Sequence, residues 1–231
     1  FIDEGKPLPG QIEKTVANLK EVSPTFYLNV PKGYEALLPF LESDRQLREN
    51  FFRRVKVMLY AGAGLSMHVL ETLERLAVET TGERIAMVTS LGSTETAPAA
   101  LFANWPMRIP GNVGLPVPGV ELKLVPNGDK LEMRLRGPSM TPGYWKHDEL
   151  TRAAFDDEGY YCMGDALRFA DPALPEKGLM FDGRVAEDFK LATGTWVSVG
   201  PLRAAFVALG DPFVQDAVVA GLDRDEVGLL V

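Results

Sequence analysis

The chain has 231 residues, of which 46% are hydrophobic and 24% charged, and this composition excludes a disordered or collagen-like protein. The 24 Lys and Arg against 32 Asp and Glu give a formal net charge of -8, which argues against nucleic acid or an anionic membrane as main partner. A single cysteine, Cys162, rules out an internal disulfide, and two histidines, His68 and His147, argue against a zinc cluster. With no apolar run near the ~20 residues that span a bilayer, we predict a cytoplasmic protein without membrane insertion.

The first half of the sequence alternates helix and strand patterns. Apolar residues recur at helical spacing in some segments, and short apolar runs end at Pro31 or at glycine-rich turns in others. The predicted helices cover 10–21, 33–42 and the segment holding Val69, Leu73, Leu76 and Ala77, and the predicted strands cover 25–30, 55–60 and 84–90. Strands separated by helices predict βαβ units in a mainly parallel sheet, and hence an α/β fold.

From about residue 112 the pattern becomes β-rich. Val120, Leu122 and Leu124 alternate with polar residues, the segment 126–129 contains an Asn-Gly turn, and alternation resumes at Leu131, which predicts a hairpin. Further elements are predicted as strands around 178–182, 189–199 and 217–221 and as a helix over 201–209. The chain begins with Phe1 rather than Met and stops in an apolar stretch, so we expect it to be part of a longer protein.

Two loops at predicted strand ends are candidates for ligand binding. Ala61-Gly62-Ala63-Gly64-Leu65 lets backbone approach a flat or phosphorylated ligand, although Met67 stands where a dinucleotide motif needs a third glycine. The alternative is a tight turn that binds nothing. Gly92-Ser93-Thr94-Glu95-Thr96 offers hydroxyls for a phosphate and a carboxylate for Mg²⁺, and the alternative here is a helix N-cap. This second loop lacks the Gly-x-Ser-x-Gly pattern of a hydrolase nucleophile.

Two further short motifs follow in the β-rich half. They are Gly159-Tyr160-Tyr161-Cys162-Met163-Gly164-Asp165 and Phe181-Asp182-Gly183-Arg184. Taken alone, a Gly-Asp pair predicts a turn and a Gly-Arg pair a solvated loop end. Their order and spacing relative to the two earlier loops favour a shared function.

Together these motifs resemble the AMP-forming acyl-CoA synthetases and their adenylating relatives. The resemblance rests on Gly92-Ser93-Thr94-Glu95, on Gly137-Pro138-Ser139-Met140-Thr141-Pro142-Gly143-Tyr144-Trp145, on 155–165 and on Gly183-Arg184. Within that superfamily, the strings 26–31, 60–65, 183–190 and 193–198 are most similar to feruloyl-CoA synthases. The resemblance implies that ATP and Mg²⁺ activate a carboxylic acid as an acyl-adenylate, which is then transferred to CoA.

The resemblance also assigns roles residue by residue. It implies that Thr94 and Glu95 are catalytic, the first contacting phosphate and the second binding Mg²⁺. It implies that Asp165 accepts hydrogen bonds from the ribose hydroxyls, backed by Arg184. The remaining residues that it places at the nucleotide are Gly62, Ala63, Gly64, Leu91, Gly92 and Ser93. For the acyl pocket it points to Tyr60, Ala61, Gly62 and Ser90, with core packing of Tyr60 as the alternative.

Three features of the sequence bear on how it compares with the family pattern. Leu91 stands where many relatives have an aromatic residue against adenine, so we expect weaker nucleotide affinity. Ala186 stands at the hinge position, about which the family rotates its C-terminal part. The sequence has neither a Thr/Ser/Gly-rich phosphate loop ending in Lys nor a late Gly-Lys segment. We therefore expect the chain alone to be inactive.

The motif order predicts the domain organisation and leaves three functions open. Residues 1–185 would form the latter part of a large AMP-binding domain, with a β-rich subdomain over about 112–185, and 186–231 would begin a mobile α+β C-terminal domain. The expected substrates are an aromatic acid of the hydroxycinnamate class, with ferulate foremost, together with ATP and CoA. The alternatives are a ligase for aliphatic or fatty acids on the same fold and a non-catalytic AMP- or ATP-binding module.

Overall fold

The computed structural model describes residues 4–106, 111–210, 213–214 and 216–231. The chain forms two units, one of Phe1–Ser93 with Pro98–Leu115 and the other of Thr94–Ala97 with Pro116–Val231. The second unit continues through residue 185, so the domain boundary predicted there stays a prediction. No helix among the described ranges is both long and apolar enough to cross a membrane.

The first unit is a sheet with helices, as the βαβ pattern predicts. Its helices are α1 (Ile12–Glu21), α2 (Pro31–Ser43), α3 (Arg45–Phe52) and α4 (Met67–Thr81), and its strands are β1 (Phe26–Asn29), β2 (Val57–Ala61), β3 (Ala86–Leu91), β4 (Leu101–Ala103) and β5 (Asn112–Pro116). The strand order is β1-β2-β3-β4-β5. The pairs β1–β2 and β2–β3 are parallel, whereas β4 runs antiparallel to β3.

Local sequence features explain the helices of this unit. Helix α1 buries Ile12, Val16 and Leu19, the residues whose spacing predicts it. Helix α4 begins after Ser66, whose side chain accepts a hydrogen bond from the Val69 amide, and ends at Gly82, which has the left-handed conformation with φ 75°. The three helices predicted in this half are confirmed, and α3 is an additional helix that the spacing analysis does not predict.

The second unit is an antiparallel sheet with smaller appendages. Its main strands are β6 (Glu121–Asn127), β7 (Lys130–Arg136), β8 (Tyr161–Phe169) and β9 (Leu179–Arg184), in the order β9-β8-β7-β6. The predicted hairpin is confirmed as β6–β7, in which Asn127 pairs with Lys130 across a turn where Gly128 has φ 64°. The remaining elements are α5 (Asp148–Ala153), β10 (Phe189–Lys190), β11 (Trp196–Val197), α6 (Val199–Gly210), β12 (Val218–Ala220) and β13 (Gly228–Leu230).

The strands predicted in the last third of the chain are present, but some of them are shorter or split into two strands. The predicted strand over 189–199 is two strands of two residues, β10 and β11, which pair antiparallel. The predicted strand over 217–221 is β12, and β13 pairs with it antiparallel. The predicted helix over 201–209 is α6, which begins two residues earlier. The local patterns therefore identify these elements and misplace their ends by a few residues.

Candidate functional site

In the first unit, the first two predicted loops begin at the ends of neighbouring parallel strands. Ala61, the last residue of β2, pairs with Ser90 near the end of β3. Because parallel strands end at the same edge of a sheet, the loop after β2 and the string after β3 leave that edge side by side. Both loops therefore begin where a parallel strand ends, as the sequence predicts.

The loop after β2 exposes backbone between two fixed points. Gly62 has φ 87°, a conformation that favours glycine, and Gly62, Ala63 and Gly64 are all exposed. Leu65, directly after them, is 3% exposed and belongs to the hydrophobic core. The loop is therefore anchored on both sides while its own backbone remains exposed.

Tyr60 packs in the core of the first unit, as the alternative interpretation predicts. It is 3% exposed and belongs to the same hydrophobic cluster as Leu65. Its backbone carbonyl accepts a hydrogen bond from Thr89 Oγ1 at 2.9 Å, and burial raises the pKa of its hydroxyl. Of the four residues predicted for an acyl pocket, the small residues Ala61, Gly62 and Ser90 therefore lie more openly than Tyr60.

The Gly-Ser-Thr-Glu string does not cap an α-helix. Leu91 ends β3, Gly92 and Ser93 follow it half-buried, and Thr94–Thr96 form a single 3-10 turn. The next regular element after this turn is the strand β4, so the helix N-cap interpretation is wrong. The Thr94 side chain is exposed, whereas Glu95 is half-buried.

Two contacts fix Glu95 within the second unit. The Tyr144 hydroxyl donates to Glu95 Oε1 at 3.0 Å, and the Thr141 amide donates to the Glu95 carbonyl at 2.7 Å. The Tyr161 hydroxyl, partial burial and the Glu95 carboxylate together raise the pKa of Tyr144, so Tyr144 is a protonated donor at neutral pH. Sequence reasoning uses Tyr144 only as part of a family motif and misses this contact.

Asp165 and Arg184 lie together on neighbouring strands. They are directly opposite in the β8–β9 pair, with Arg184 Nε 3.5 Å from Asp165 Oδ1. Arg184 Nη2 also donates to the Met163 carbonyl at 3.2 Å. Asp165 is 4% exposed, and burial raises the pKa of its carboxyl while Arg184 opposes that rise. Asp165 is thus a buried carboxylate that pairs with the more exposed Arg184 guanidinium.

A bulge in β8 presents Asp165, and the Gly-Asp pair is not a turn. Cys162 pairs with Arg134 and Ala166 with Glu132, so residues 163–165 of β8 face a single residue of β7. Gly164 in this bulge has φ 79°. Extra residues of this kind turn a side chain away from the regular strand alternation. The turn interpretation of Gly164-Asp165 is therefore wrong, and Gly183-Arg184, interpreted in isolation as a solvated loop end, are the last two residues of β9, with Arg184 exposed.

The predicted hinge residue Ala186 lies in a 3-10 turn, Val185–Glu187, directly after β9. The following residue, Asp188, forms a buried ion pair with Lys130 of β7, with 2.5 Å between Oδ2 and Nζ. Asp188 Oδ1 also accepts from the Val199 amide at 2.9 Å. The segment after Ala186 is thus tied to the hairpin, and rotation about Ala186 stays a prediction.

Glu95 is the residue that could share a metal ion with a nucleotide. Within the described part of the chain, no group of three or more His, Cys, Asp or Glu could hold a metal ion by itself. Mg²⁺ characteristically takes one or two carboxylates and fills its remaining positions with phosphate oxygens and water. A single oriented carboxylate beside the exposed Thr94 hydroxyl fits a magnesium–phosphate site of that kind.

The fold is of the α/β class, and comparison with known proteins supplies the family. The family model described as AMP-binding enzyme matches residues 2–145, more than half of the 231 residues. The chain therefore belongs to the AMP-binding enzyme family.

Individual relatives act on different acids. The chain is 29% identical over 211 residues to 3-hydroxybenzoate–CoA ligase of Aromatoleum sp. (strain CIB), covering 88% of this chain and 37% of that protein. It is 26% identical over 226 residues to the mitochondrial malonate–CoA ligase ACSF3 of Homo sapiens, covering 86% and 37% respectively. Both names describe a CoA ligase, one for an aromatic and one for an aliphatic acid.

A solved structure shares the fold. The anthranilate CoA ligase AuaEII in complex with anthranoyl-AMP has a TM-score of 0.67 and 25% identity, over 92% of this chain and 40% of that chain. The fold is thus that of the N-terminal domain of adenylate-forming enzymes. The chain spans 25% to 37% of the length of the curated relatives that it matches.

Proposed function

We propose that the whole protein is an AMP-forming ligase that joins an aromatic carboxylic acid of the hydroxycinnamate class, such as ferulate, to CoA. ATP would activate the acid as an acyl-adenylate with release of pyrophosphate, and the thiol of CoA would then take the acyl group as a thioester with release of AMP. Membership of the AMP-binding enzyme family supports the adenylating chemistry. The 3-hydroxybenzoate and anthranilate ligases support an aromatic acid.

The observation that carries the nucleotide role is the burial of Asp165 beside Arg184. A carboxylate that is 4% exposed loses hydration, and the Arg184 guanidinium at 3.5 Å compensates it in part. An ionised carboxylate accepts hydrogen bonds on both oxygens, so one such group can receive both hydroxyls of a ribose. The two ribose hydroxyls would thus donate hydrogen bonds to the Asp165 carboxylate in addition to its contact with Arg184.

Thr94 and Glu95 would act at the phosphates. The Thr94 hydroxyl is exposed and can donate to a phosphate oxygen, while Glu95, oriented by Tyr144, would bind the Mg²⁺ that accompanies ATP. When bound, Mg²⁺ neutralises phosphate charge as a Lewis acid. The residues of this chain would contribute by positioning. Positioning and stabilisation of charge are the expected sources of rate when a carboxylate attacks the α-phosphorus of ATP and displaces pyrophosphate.

The small residues at the ends of β2 and β3 would admit the acid. Ala61 and Ser90 are paired, and Gly62 follows with no side chain, so the edge is open to a flat ring. A bulky residue there would shorten the space for a substrate. The relation to malonate–CoA ligase favours a second candidate, an aliphatic-acid ligase on the same fold.

The first test measures pyrophosphate release by the whole protein with ATP, Mg²⁺ and CoA across ferulate, 4-coumarate, benzoate, malonate and octanoate. We expect release to be strongest with ferulate and 4-coumarate and near background with malonate and octanoate. A single methylene in an apolar pocket already changes discrimination roughly 10- to 200-fold, so a ring and an aliphatic chain should differ by at least that much. Release confined to malonate or octanoate would transfer the assignment to the aliphatic ligase.

The second test replaces Asp165 by Asn in the whole protein. We expect ATP to bind roughly 10- to 100-fold more weakly, because hydrogen bonds to a charged acceptor contribute about 1.5–3 kcal/mol. Isothermal titration with ATP measures the change directly. The matched control is Asp171→Asn, which removes an exposed carboxylate paired with Lys177 at 2.8 Å and should leave ATP binding unchanged.

Stability distinguishes a lost ligand contact from a damaged fold in the Asp165 variant. Because burial raises the pKa of Asp165 above its unfolded value, ionisation at neutral pH opposes folding. That cost is absent at pH values below the ordinary carboxyl pKa and complete above the raised one. Asp165→Asn should therefore keep or increase the free energy of unfolding at pH 7. Equal ATP affinity in wild type and variant would contradict the ribose-binding role.

A further inference from the structure

We propose that Tyr144 is a positioning residue for the Glu95 carboxylate, so that the affinity of the site for its divalent cation depends on the Tyr144 hydroxyl. The proposal rests on the proposed function, in which Glu95 binds the cation that accompanies ATP. It goes beyond that function because it assigns the orientation of the metal ligand to a residue 49 positions away in the sequence.

One short segment holds both the backbone and the side chain of Glu95. The Thr141 amide donates to the Glu95 carbonyl at 2.7 Å, and the Tyr144 hydroxyl donates to Glu95 Oε1 at 3.0 Å. The carbonyl contact fixes where the residue lies, and the hydroxyl contact restricts rotation of its side chain. A carboxylate fixed at both points loses less conformational freedom when it binds an ion.

The segment that carries Tyr144 is itself held in place by Thr151. The Tyr144 amide donates to Thr151 Oγ1 at 2.8 Å, and Thr151 Oγ1 donates to the His147 carbonyl at 3.0 Å. At the preceding Gly143, with φ 140°, an added Cβ would lie 2.4 Å from Thr151 Cγ2. Tyr144 is therefore placed by tight local packing that a larger residue at position 143 would break.

A tyrosine hydroxyl suits this task better than a basic side chain. It donates one hydrogen bond and carries no charge, so it orients the carboxylate without neutralising it. Lys or Arg at the same distance would form an ion pair with Glu95 and compete with a cation.

The test compares Tyr144→Phe with Tyr160→Phe in the whole protein. Tyr160 is a matched control in the same unit, since its hydroxyl also donates to a carboxylate, Glu121 Oε2, at 3.0 Å in an exposed contact. Mn²⁺ replaces Mg²⁺ and is titrated by electron paramagnetic resonance in the presence of a non-hydrolysable ATP analogue. We expect Tyr144→Phe to bind Mn²⁺ roughly 10-fold more weakly, the usual effect of removing an outer-shell partner. We expect the control to match wild type.

A double-mutant cycle with Glu95→Gln separates positioning from general loosening of the fold. If Tyr144 acts through Glu95, Tyr144→Phe weakens Mn²⁺ binding in the wild-type background and adds nothing in the Glu95→Gln background. An equal loss in both backgrounds, or unchanged Mn²⁺ affinity in Tyr144→Phe, would overturn the proposal. Absence of pyrophosphate release from the wild type with every acid would overturn the proposed function, and the Mn²⁺ titration would still test the role of Tyr144.

Discussion

Replacing Lys130 by Met should lower the free energy of unfolding of the chain by about 3–5 kcal/mol, the usual cost of breaking a buried ion pair by removing one partner. Lys130 and Asp188 have side chains that are 4% and 1% exposed, with 2.5 Å between Nζ and Oδ2. Without the cation, the Asp188 carboxylate stays buried and uncompensated. Chemical denaturation gives the total loss, and hydrogen exchange of the Val199 amide, which donates to Asp188 Oδ1, reports it locally.

Two controls establish that burial is the cause. Lys177→Met removes the cation of the exposed pair with Asp171 and should cost no more than about 1 kcal/mol. Lys130→Met combined with Asp188→Asn removes both buried charges, and the amide oxygen still accepts from the Val199 amide. This double variant should recover most of the loss. A double variant as unstable as Lys130→Met would show that packing around the pair, and not its charge, determines stability.

The ion pair bears on the predicted hinge. Lys130 begins β7, and Asp188 lies two residues beyond Ala186. Further along, Gly200 approaches Gly183 so closely that a Cβ at Gly200 would lie 2.6 Å from the Gly183 Cα. The methyl group of Ala186 supplies no charge to fix an orientation. The position of the segment after Ala186 therefore depends on a buried ion pair and on a glycine–glycine approach.

Local sequence patterns predict much of the fold because the interactions that decide these elements are close in sequence. The β6–β7 hairpin follows from alternation on both sides of Asn127-Gly128, whose turn requires the positive φ found at Gly128. Helices α1 and α4 follow from apolar spacing and from a Ser66 cap. The adjacency of the two candidate loops follows as well, because successive parallel strands end at one edge of the sheet.

The decisive contacts of the candidate site are not available from such patterns. Tyr144 and Glu95 are 49 positions apart, and nothing local at either residue indicates the other. Asp165 lies in a strand bulge, where pairing with two different neighbours sets the direction of its side chain. A Gly-Asp pair in isolation predicts a turn, so tertiary pairing overrides the local preference. The resemblance to a family identifies Asp165 as a candidate residue. Its burial becomes evident only from the packing of β8 in the folded sheet.

Helix α3 shows how a short polar helix escapes spacing analysis. Its eight residues, Arg45–Phe52, include two arginines and one glutamate, and the apolar residues are few. Isolated helices of this length are marginal in water. The available signals are Asp44, whose side chain accepts from the Leu47 amide at 3.0 Å, and the four-residue spacing from Leu47 to Phe51. Tertiary packing of Phe51 and Phe52 must therefore stabilise this helix.

Replacing Phe51 by Ala should accordingly lower the free energy of unfolding by about 3–5 kcal/mol, the range for a buried Phe that leaves a cavity. Phe51 is 0% exposed and makes edge-to-face contacts with the rings of Tyr27 in β1 and Phe52, at centroid distances of 5.0 and 4.9 Å. The loss combines apolar burial with these ring contacts. Denaturation monitored together with hydrogen exchange in α3 and β1 locates it in the first unit.

The matched control is Phe26→Ala. It also removes a phenylalanine side chain, but from a position in β1 that is 53% exposed. Because the removed ring is largely in water already, the expected loss is about 1 kcal/mol or less. Exchange in α3 should then increase for Phe51→Ala and remain near wild type for Phe26→Ala. Comparable losses in the two variants would mean that β1 is stabilised by apolar area on both faces and that α3 is held by its cap and ion pairs. In that case the short helix would owe its stability to local interactions after all.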